Sequence, residues 1–324
     1  MELLEKYQNA LAAHLTDVVA TKEPAQLYEP IQYILTLGGK RLRPVLTLLT
    51  ADFFQGDYKK AMNAALAVEL FHNFSLIHDD IMDNAPLRRG KETVHERWDL
   101  NTGILSGDAM LILAYQLFEG YEAERFQKLA KLFSKTALEV CEGQQYDVDF
   151  ETRDDVTKEE YIKMIDYKTA VLIGAAMKMG AIVANASTSC CEGIYEFGRN
   201  LGIAFQLQDD YLDAFGNPET FGKQVGGDII ANKKTFLYLT ALENSSPREA
   251  ADLEHLFNII PKDPSDKIHT VKELFLASGA AEATTVEIEK YTQKANAVLE
   301  DIQLSEDKKQ QLRKFGAWLM KRTV

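Results

Sequence analysis

Cysteine is scarce in this chain. There are three in 324 residues, and two of them, Cys190 and Cys191, are adjacent. An odd count with no paired spacing excludes a disulfide framework and a cysteine zinc site. Basic residues are outnumbered, 36 Lys and Arg against 49 Asp and Glu, for a net charge of −13. A chain this acidic is a poor general binder of nucleic acid. Long apolar runs are missing as well. The most apolar stretch, Ala170 to Ala186, contains Lys178 and is too short to span a membrane, so it reads as a core helix. The start, Met-Glu-Leu-Leu-Glu-Lys-Tyr, has neither the basic nor the apolar region of a signal peptide. No Pro/Gly/Ser-rich linker, low-complexity tract or short repeat divides the sequence. These absences predict a soluble, cytoplasmic protein with one domain over residues 1–324. Alternating β-branched runs are also scarce, whereas apolar residues recur at three- and four-residue spacing almost throughout, which predicts an all-α fold.

What the chain does have is acid in a pattern. Ser75-Leu76-Ile77-His78-Asp79-Asp80-Ile81-Met82-Asp83 ends an apolar helical run that includes Ala64, Leu66, Val68, Leu70, Phe71 and Phe74. At about 100° per residue, Asp79 and Asp83 share one helix face and Asp80 flanks them. Taken alone, such a cluster is more readily a solvated helix end than a metal site. The pattern recurs, however, as Gln208-Asp209-Asp210-Tyr211-Leu212-Asp213, after Ile203, Ala204, Phe205 and Leu207. If both helices line one cavity, six carboxylates would repel each other strongly without cations between them. Hard oxygen ligands of this kind suit Mg²⁺.

Basic residues cluster at a few turns. Glu29-Pro30 is expected to open a helix that stops at Gly38-Gly39; Lys40, Arg41 and Arg43 follow, with Pro44 in the first turn of the next helix. Backbone N–H groups beside Lys40 and Arg43 favour a multiply charged anion, although a basic loop between two helices has the same composition. Asn84-Ala85-Pro86-Leu87-Arg88-Arg89-Gly90 reads as a flexible turn. Its arginines suit either salt bridges to the aspartates or the oxygens of a diphosphate. Tyr161 to Asn185 is expected to be one helix, on which Lys168 needs an ion-pair partner or a polar cavity. Asp108 is expected to cap a helix. The glycine-rich stretch from Gly216 to Asp228 holds Lys223 but lacks the Walker order, and Asn232-Lys233-Lys234-Thr235 opens a further helix. From about residue 236 onward the sequence reads as packing.

Taken together and in order, these pieces resemble the trans-isoprenyl diphosphate synthases, the polyprenyl synthetase family. The resemblance rests on residues 38–44, both acidic motifs, Leu87 to Gly90, Lys168-Thr169, Phe205-Gln206, Gly222-Lys223 and the lysines near 233, and it covers nearly the whole chain. It implies an isoprenoid-synthase bundle of about ten or more helices around a central cavity, usually as a homodimer. The implied substrates are isopentenyl diphosphate and an allylic diphosphate (dimethylallyl, geranyl or farnesyl). The implied catalytic set is Asp79, Asp80, Asp83, Asp209, Asp210, Asp213 and Lys168. Asp79, Asp83 and Asp209 would hold Mg²⁺, three ions being the usual family number. Arg88, Lys168, Thr169, Gln206, Lys223 and Lys233 would hold the allylic diphosphate. Gly39, Lys40, Arg43, His72 and Arg89 would hold isopentenyl diphosphate. The proton lost after coupling would go to the departing diphosphate, and His78 is read as a hydrogen-bonded helix histidine rather than a base.

Product length would be set just before the first motif. Phe74 lies about 7–8 Å below Asp79 along the helix axis and would form a bulky floor, while Ser75 is small and would not block. By resemblance, this favours geranylgeranyl diphosphate, with farnesyl diphosphate second. Two rivals share features. A class I terpene cyclase has no need for the Lys40/Arg43 cluster or a second aspartate-rich motif, and a non-catalytic partner subunit of a heteromeric synthase tends to lose aspartates that are all present here.

Overall fold

A computed structural model describes residues 2–18, 22–217 and 225–321. Packing groups them in two compact units. Unit 1 comprises Met1–Ala137 and Ala175–Tyr195, and unit 2 comprises Leu138–Gly174 and Glu196–Val324. The fold is all-α, as expected.

In chain order, unit 1 contains α1 (Glu2–Val18), α2 (Ala25–Thr36), α3 (Leu42–Phe53) and α4 (Met62–Met82). A two-stranded hairpin follows, β1 (Leu87–Arg88) and β2 (Lys91–Glu92), and then α5 (Val94–Arg97) and α6 (Leu100–Gln116). The chain crosses between units within α7 (Ala123–Thr152), α9 (Val171–Val183) and α10 (Thr188–Phe215). Unit 2 adds α8 (Lys158–Ile165), α11 (Gly227–Ile230), α12 (Phe236–Asn244), α13 (Pro247–Leu256), α14 (Ser265–Ala277), α15 (Ala280–Asp301) and α16 (Glu306–Met320).

The core of unit 1 forms around α4, whose residues from Ala64 to Phe71 are buried. Two glycines on α6, one turn apart, let that helix come close. A Cβ on Gly103 would lie 2.9 Å from Ile81, and one on Gly107 would lie 2.3 Å from the His78 ring. Phe133 closes the far end, edge-on to Phe71 at 5.2 Å and to Tyr115 at 4.7 Å. In unit 2, Tyr161, Ile165, Leu207, Leu237, Val271, Phe275 and Ile288 belong to one apolar cluster. Capping boxes start α8 (Thr157 with Glu160) and α13 (Ser246 with Glu249), satisfying N–H groups that the helices leave open.

Three local expectations are corrected. The helix expected to open at Glu29-Pro30 begins at Ala25 and carries Pro30 inside it. Burial of Pro30, Ile31, Ile34 and Leu35 outweighs the one hydrogen bond that the proline removes. The helix expected over Tyr161 to Asn185 is interrupted by a π-helical turn at Asp166–Ala170. The expected flexible turn around Arg88-Arg89 is a hairpin with Leu87 opposite Glu92 and Arg88 opposite Lys91. Arg89 and Gly90, both at positive φ (53° and 74°), form its two-residue loop in the I′ manner.

Close approach of α9 to α3 depends on Gly180, where a Cβ would lie 2.2 Å from the Thr47 carbonyl oxygen. Backbone cannot yield as a side chain can. Gly180→Ala is therefore expected to destabilise the protein by about 1–3 kcal/mol, seen as a lower urea midpoint at unchanged slope.

Candidate active site

The first acidic motif occupies the last turn of α4. Asn84, at φ 48°, and Ala85 end the helix: Asn84 N–H donates to the Ile81 carbonyl (3.2 Å) and Ala85 N–H to that of Asp80 (2.9 Å). The helical period turns Asp80 inward with Ile77, leaving it 1% exposed, while Asp79 is half-buried and Asp83 exposed. A carboxylate that deep requires a partner. The hairpin supplies it: Arg88 Nε lies 2.8 and 2.7 Å from the two Asp80 oxygens, and its Nη2 lies 2.6 Å from Oδ1. The same Nη2 is 3.8 Å from Asp79 Oδ2. Burial pushes the Asp80 carboxyl above its ordinary range, with Arg88 pulling the other way. Burial opposes the charge on Arg88 too, but Asp80, Asp79 and Asp83 more than offset it. The short bidentate geometry is that of an ion pair.

The hairpin's next residue points elsewhere. Arg89 donates to the Gly38 carbonyl, and its guanidinium fills the space a Cβ on Gly39 would need, 2.7 Å away. With Gly39 at φ 117°, the position excludes a side chain on both counts. Arg43, on α3, lies 3.1 Å from His72 Nε2 on α4. Burial lowers the Arg43 pKa to about 10, which still leaves it charged at neutral pH. His72 is held well below its ordinary value, first by burial and then by Arg43, Arg89 and Arg88, so it is neutral and accepts from Arg43. Lys40 is exposed on the same turn. The structure thus brings Gly39, Arg43, His72 and Arg89 into one basic cluster within unit 1.

Glu69 belongs to this cluster and was missed in the sequence. It is 4% exposed, and the amide of Asn73 donates to it at 3.1 Å. Burial raises its pKa, against the pull of Asn73, Arg41, Arg43 and Arg89. The available signal was a single acid on the apolar face between Val68 and Leu70.

Phe74 is buried against Phe71 and His78, with ring centroids 5.5 and 4.7 Å apart. Ser75 donates to the His72 carbonyl at 2.8 Å. His78 is a hydrogen-bonded helix histidine, with Nε2 3.3 Å from the Ile104 carbonyl. Asp108 lies in the middle of α6, exposed and 3.9 Å from His78, and so does not cap a helix; Asp99 caps α6 by accepting from Thr102 N–H at 2.8 Å.

The second motif repeats the register of the first. Asp210 turns inward with Leu207, and Asp209 and Asp213 remain half-buried. Among the described residues, no arginine answers this buried acid. Tyr161 donates to Asp210 Oδ2, and the Gln206 amide donates to Oδ1 at 3.1 Å. Gln206 in turn accepts from the Thr169 hydroxyl at 3.4 Å. Asp213 accepts the Asp228 N–H at 2.9 Å, at the start of α11. Asp210, Asp213, Asp228 and Lys233 line a small cavity with Phe257 and Phe275.

Lys168 and Thr169 sit on the π-helical turn, a distortion frequent at functional sites. Lys168 pairs with Asp147 of α7 at 2.6 Å, and Gly143 gives α7 room: a Cβ there would lie 2.2 Å from the Lys168 nitrogen. Arg199 holds the turn through Asp166 at 2.8 Å. Lys223 lies outside the described residues.

Asp80, Asp210 and Asp213 thus accept hydrogen bonds from Arg88, Tyr161 and the Asp228 N–H. The resemblance assigns Asp79, Asp83 and Asp209 to metal. Among the described residues, no three His, Cys, Asp or Glu are gathered as a cage for an ion. Two outward carboxylates one turn apart instead suit an ion shared with phosphate oxygens.

An all-helical protein with two aspartate-rich helix ends and a partly buried arginine cluster has the makings of a metal-and-diphosphate enzyme. Comparison gives the family: residues 24–275 match the polyprenyl synthetase model, and the chain belongs to that family. It is 40% identical over 248 residues to the geranylgeranyl diphosphate synthase of Methanosarcina mazei, covering 75% of this chain and 76% of the relative. It is 38% identical over 283 residues to the short chain isoprenyl diphosphate synthase of Methanothermobacter thermautotrophicus, covering 87% and 86%. A crystal structure of a geranylgeranyl pyrophosphate synthase superposes with a TM-score of 0.94 at 56% identity, covering 98% of each chain. No helix among the described residues is long and apolar enough to cross a membrane.

Neutral His72 carries a pH signature. Its folded pKa is depressed, so the unfolded chain binds the extra proton first. Stability from this group is complete above about pH 6.5 and falls as the pH drops below that toward the folded value, by up to about 1.4 kcal/mol per pH unit. Denaturant titrations between pH 7.5 and 5 are expected to show this loss in the wild type and a shallower one in His72→Gln.

Proposed function

We propose that this protein condenses isopentenyl diphosphate with an allylic diphosphate head-to-tail, with geranylgeranyl diphosphate favoured over farnesyl diphosphate. Family membership makes it a trans-prenyltransferase. The observation that carries the reading is the division of basic and acidic groups. An arginine cluster under Gly39 suits one diphosphate, and outward carboxylates at two helix ends suit a metal-bound second.

Asp79, Asp83 and Asp209 are assigned to Mg²⁺, three ions in all, which when bound would stabilise negative charge developing on the allylic leaving group. Lys168, Thr169, Lys223 and Lys233 bind the same diphosphate. Gln206 holds Thr169 and Asp210 in register for it, and Arg88 acts from the Asp80 side. Gly39, Lys40, Arg43, His72 and Arg89 bind isopentenyl diphosphate and aim its double bond. Cation binding and orientation by these groups count only so far as they strengthen in the transition state. No side chain is assigned as base; the departing diphosphate takes the proton.

Phe74 is the floor against the growing chain. The protein is assigned as a homodimer, with Leu100, Ile104, Leu105 and Ile112 forming an exposed apolar face on α6 that suits a second copy.

Incubation with Mg²⁺, labelled isopentenyl diphosphate and farnesyl diphosphate is expected to give mainly a C20 prenyl diphosphate. A cyclic hydrocarbon, or no elongated product, would refute the assignment. In the same assay Phe74→Ala is expected to shift the product toward longer chains. An unchanged length would remove Phe74 from the floor.

A further inference from the structure

Of the polar groups buried next to the second motif, one has no role in the function proposed above. Tyr161 on α8 is 3% exposed, inside the apolar core of unit 2, and its hydroxyl donates to Asp210 Oδ2. A buried phenol needs an acceptor, and any backbone carbonyl would serve. Here the acceptor is the one inward carboxylate of the acidic motif. Its other oxygen is held by Gln206 at 3.1 Å, which accepts from Thr169 at 3.4 Å. One hydrogen-bonded chain therefore runs from α8, through the last turns of α10, to the π-helical turn bearing Lys168.

We propose that Tyr161 is a positioning residue: by holding Asp210, it fixes the rotation of the α10 end that presents Asp209 to a Mg²⁺-bound diphosphate. The inference rests on the prenyl-synthase reading. The contrast with the first motif supports it. Asp80 is held by the cation Arg88, whereas Asp210 is held by two neutral donors, one on each carboxylate oxygen, which fix its orientation. Groups that orient a ligand-bearing segment in this way alter metal affinity by about 10–100-fold when removed. The phenol is a dependable donor, because burial and then Asp210 raise its pKa well above the ordinary tyrosine value.

The test follows thermal stabilisation by MgCl₂ in the presence of inorganic pyrophosphate, on the full chain without prenyl substrates. Tyr161→Phe keeps the ring and removes the donor. Its half-maximal Mg²⁺ concentration is expected to rise at least tenfold. In steady-state assays its KM for the allylic substrate rises while that for isopentenyl diphosphate stays within twofold. Tyr121→Phe is the control. It removes a hydroxyl that bonds the Lys60 carbonyl at 2.8 Å in unit 1, and it should lower Tm without moving the Mg²⁺ midpoint. A Tyr161→Phe midpoint within twofold of wild type overturns the proposal and leaves the family reading standing. Failure of the wild type to respond to Mg²⁺ and pyrophosphate, with no prenyl transfer, overturns both. As a second measurement, Tyr161→Phe is combined with Asp210→Asn, which replaces the carboxyl group that the phenol holds. The double variant should shift the midpoint no further than Asp210→Asn alone, and additive shifts count against the coupling.

Discussion

A carboxylate that a helix turns toward its own core has to be met there, and much of this structure follows from meeting two of them. In a DDxxD sequence on a helix, the first and last aspartates share a face and the second points about 100° away. Both motifs place that second residue beside a buried aliphatic, Asp80 with Ile77 and Asp210 with Leu207. An unanswered charge at either position would cost several kcal/mol or force protonation. The solutions differ in kind. Asp80 receives a guanidinium from a hairpin; Asp210 receives a phenol and an amide from neighbouring helices. Each solution also recruits a second element to the helix end, so the acid that costs free energy to bury also fixes the local geometry.

The hairpin shows how one constraint serves two purposes. Its two-residue loop brings Arg88 and Arg89 to opposite tasks. Arg88 closes on Asp80, and Arg89 reaches the carbonyl of Gly38, 51 residues back. The glycines at 38 and 39 are therefore more than a helix stop: a side chain at 39 would occupy the guanidinium's place. Around them stand Arg41, Arg43, Arg89 and a neutral His72, with Glu69 as the buried acid facing three of these cations. Cations in that excess, partly shielded from water, are expensive to leave without an anion. A diphosphate is the kind of group that would relieve them.

Helical class, the two acidic motifs and the basic turns were readable because each is written in local order. Period, glycine placement and charge sign all lie within a dozen residues. What escaped was written across distance. Nothing near Arg88 says whether it takes Asp80 or a substrate, because both readings use the same fork of donors. Nothing near Lys168 announces a π-helical turn, and the groups packed on it are distant in sequence: Gly143 on another helix and Arg199, paired with Asp166 33 residues away. Glu69 and Tyr161 carry no local mark within their helices, and only their three-dimensional partners distinguish them. Pro30 was misplaced for the opposite reason: a strong local rule was overruled by burial of its neighbours.

The bonding of the aspartates also bears on how metal and substrate depend on each other. Asp80, Asp210 and Asp213 already accept hydrogen bonds from Arg88, Tyr161 and the Asp228 N–H. In the assignment proposed above the chain would contribute Asp79, Asp83 and Asp209, fewer oxygens than three octahedral ions would require. The remainder has to come from water and from the diphosphate itself. On that assignment, metal affinity would be weak in the absence of a diphosphate and would rise when one binds. Selectivity for a diphosphate ester over a monophosphate then follows from ligand count, without any further residue to recognise it.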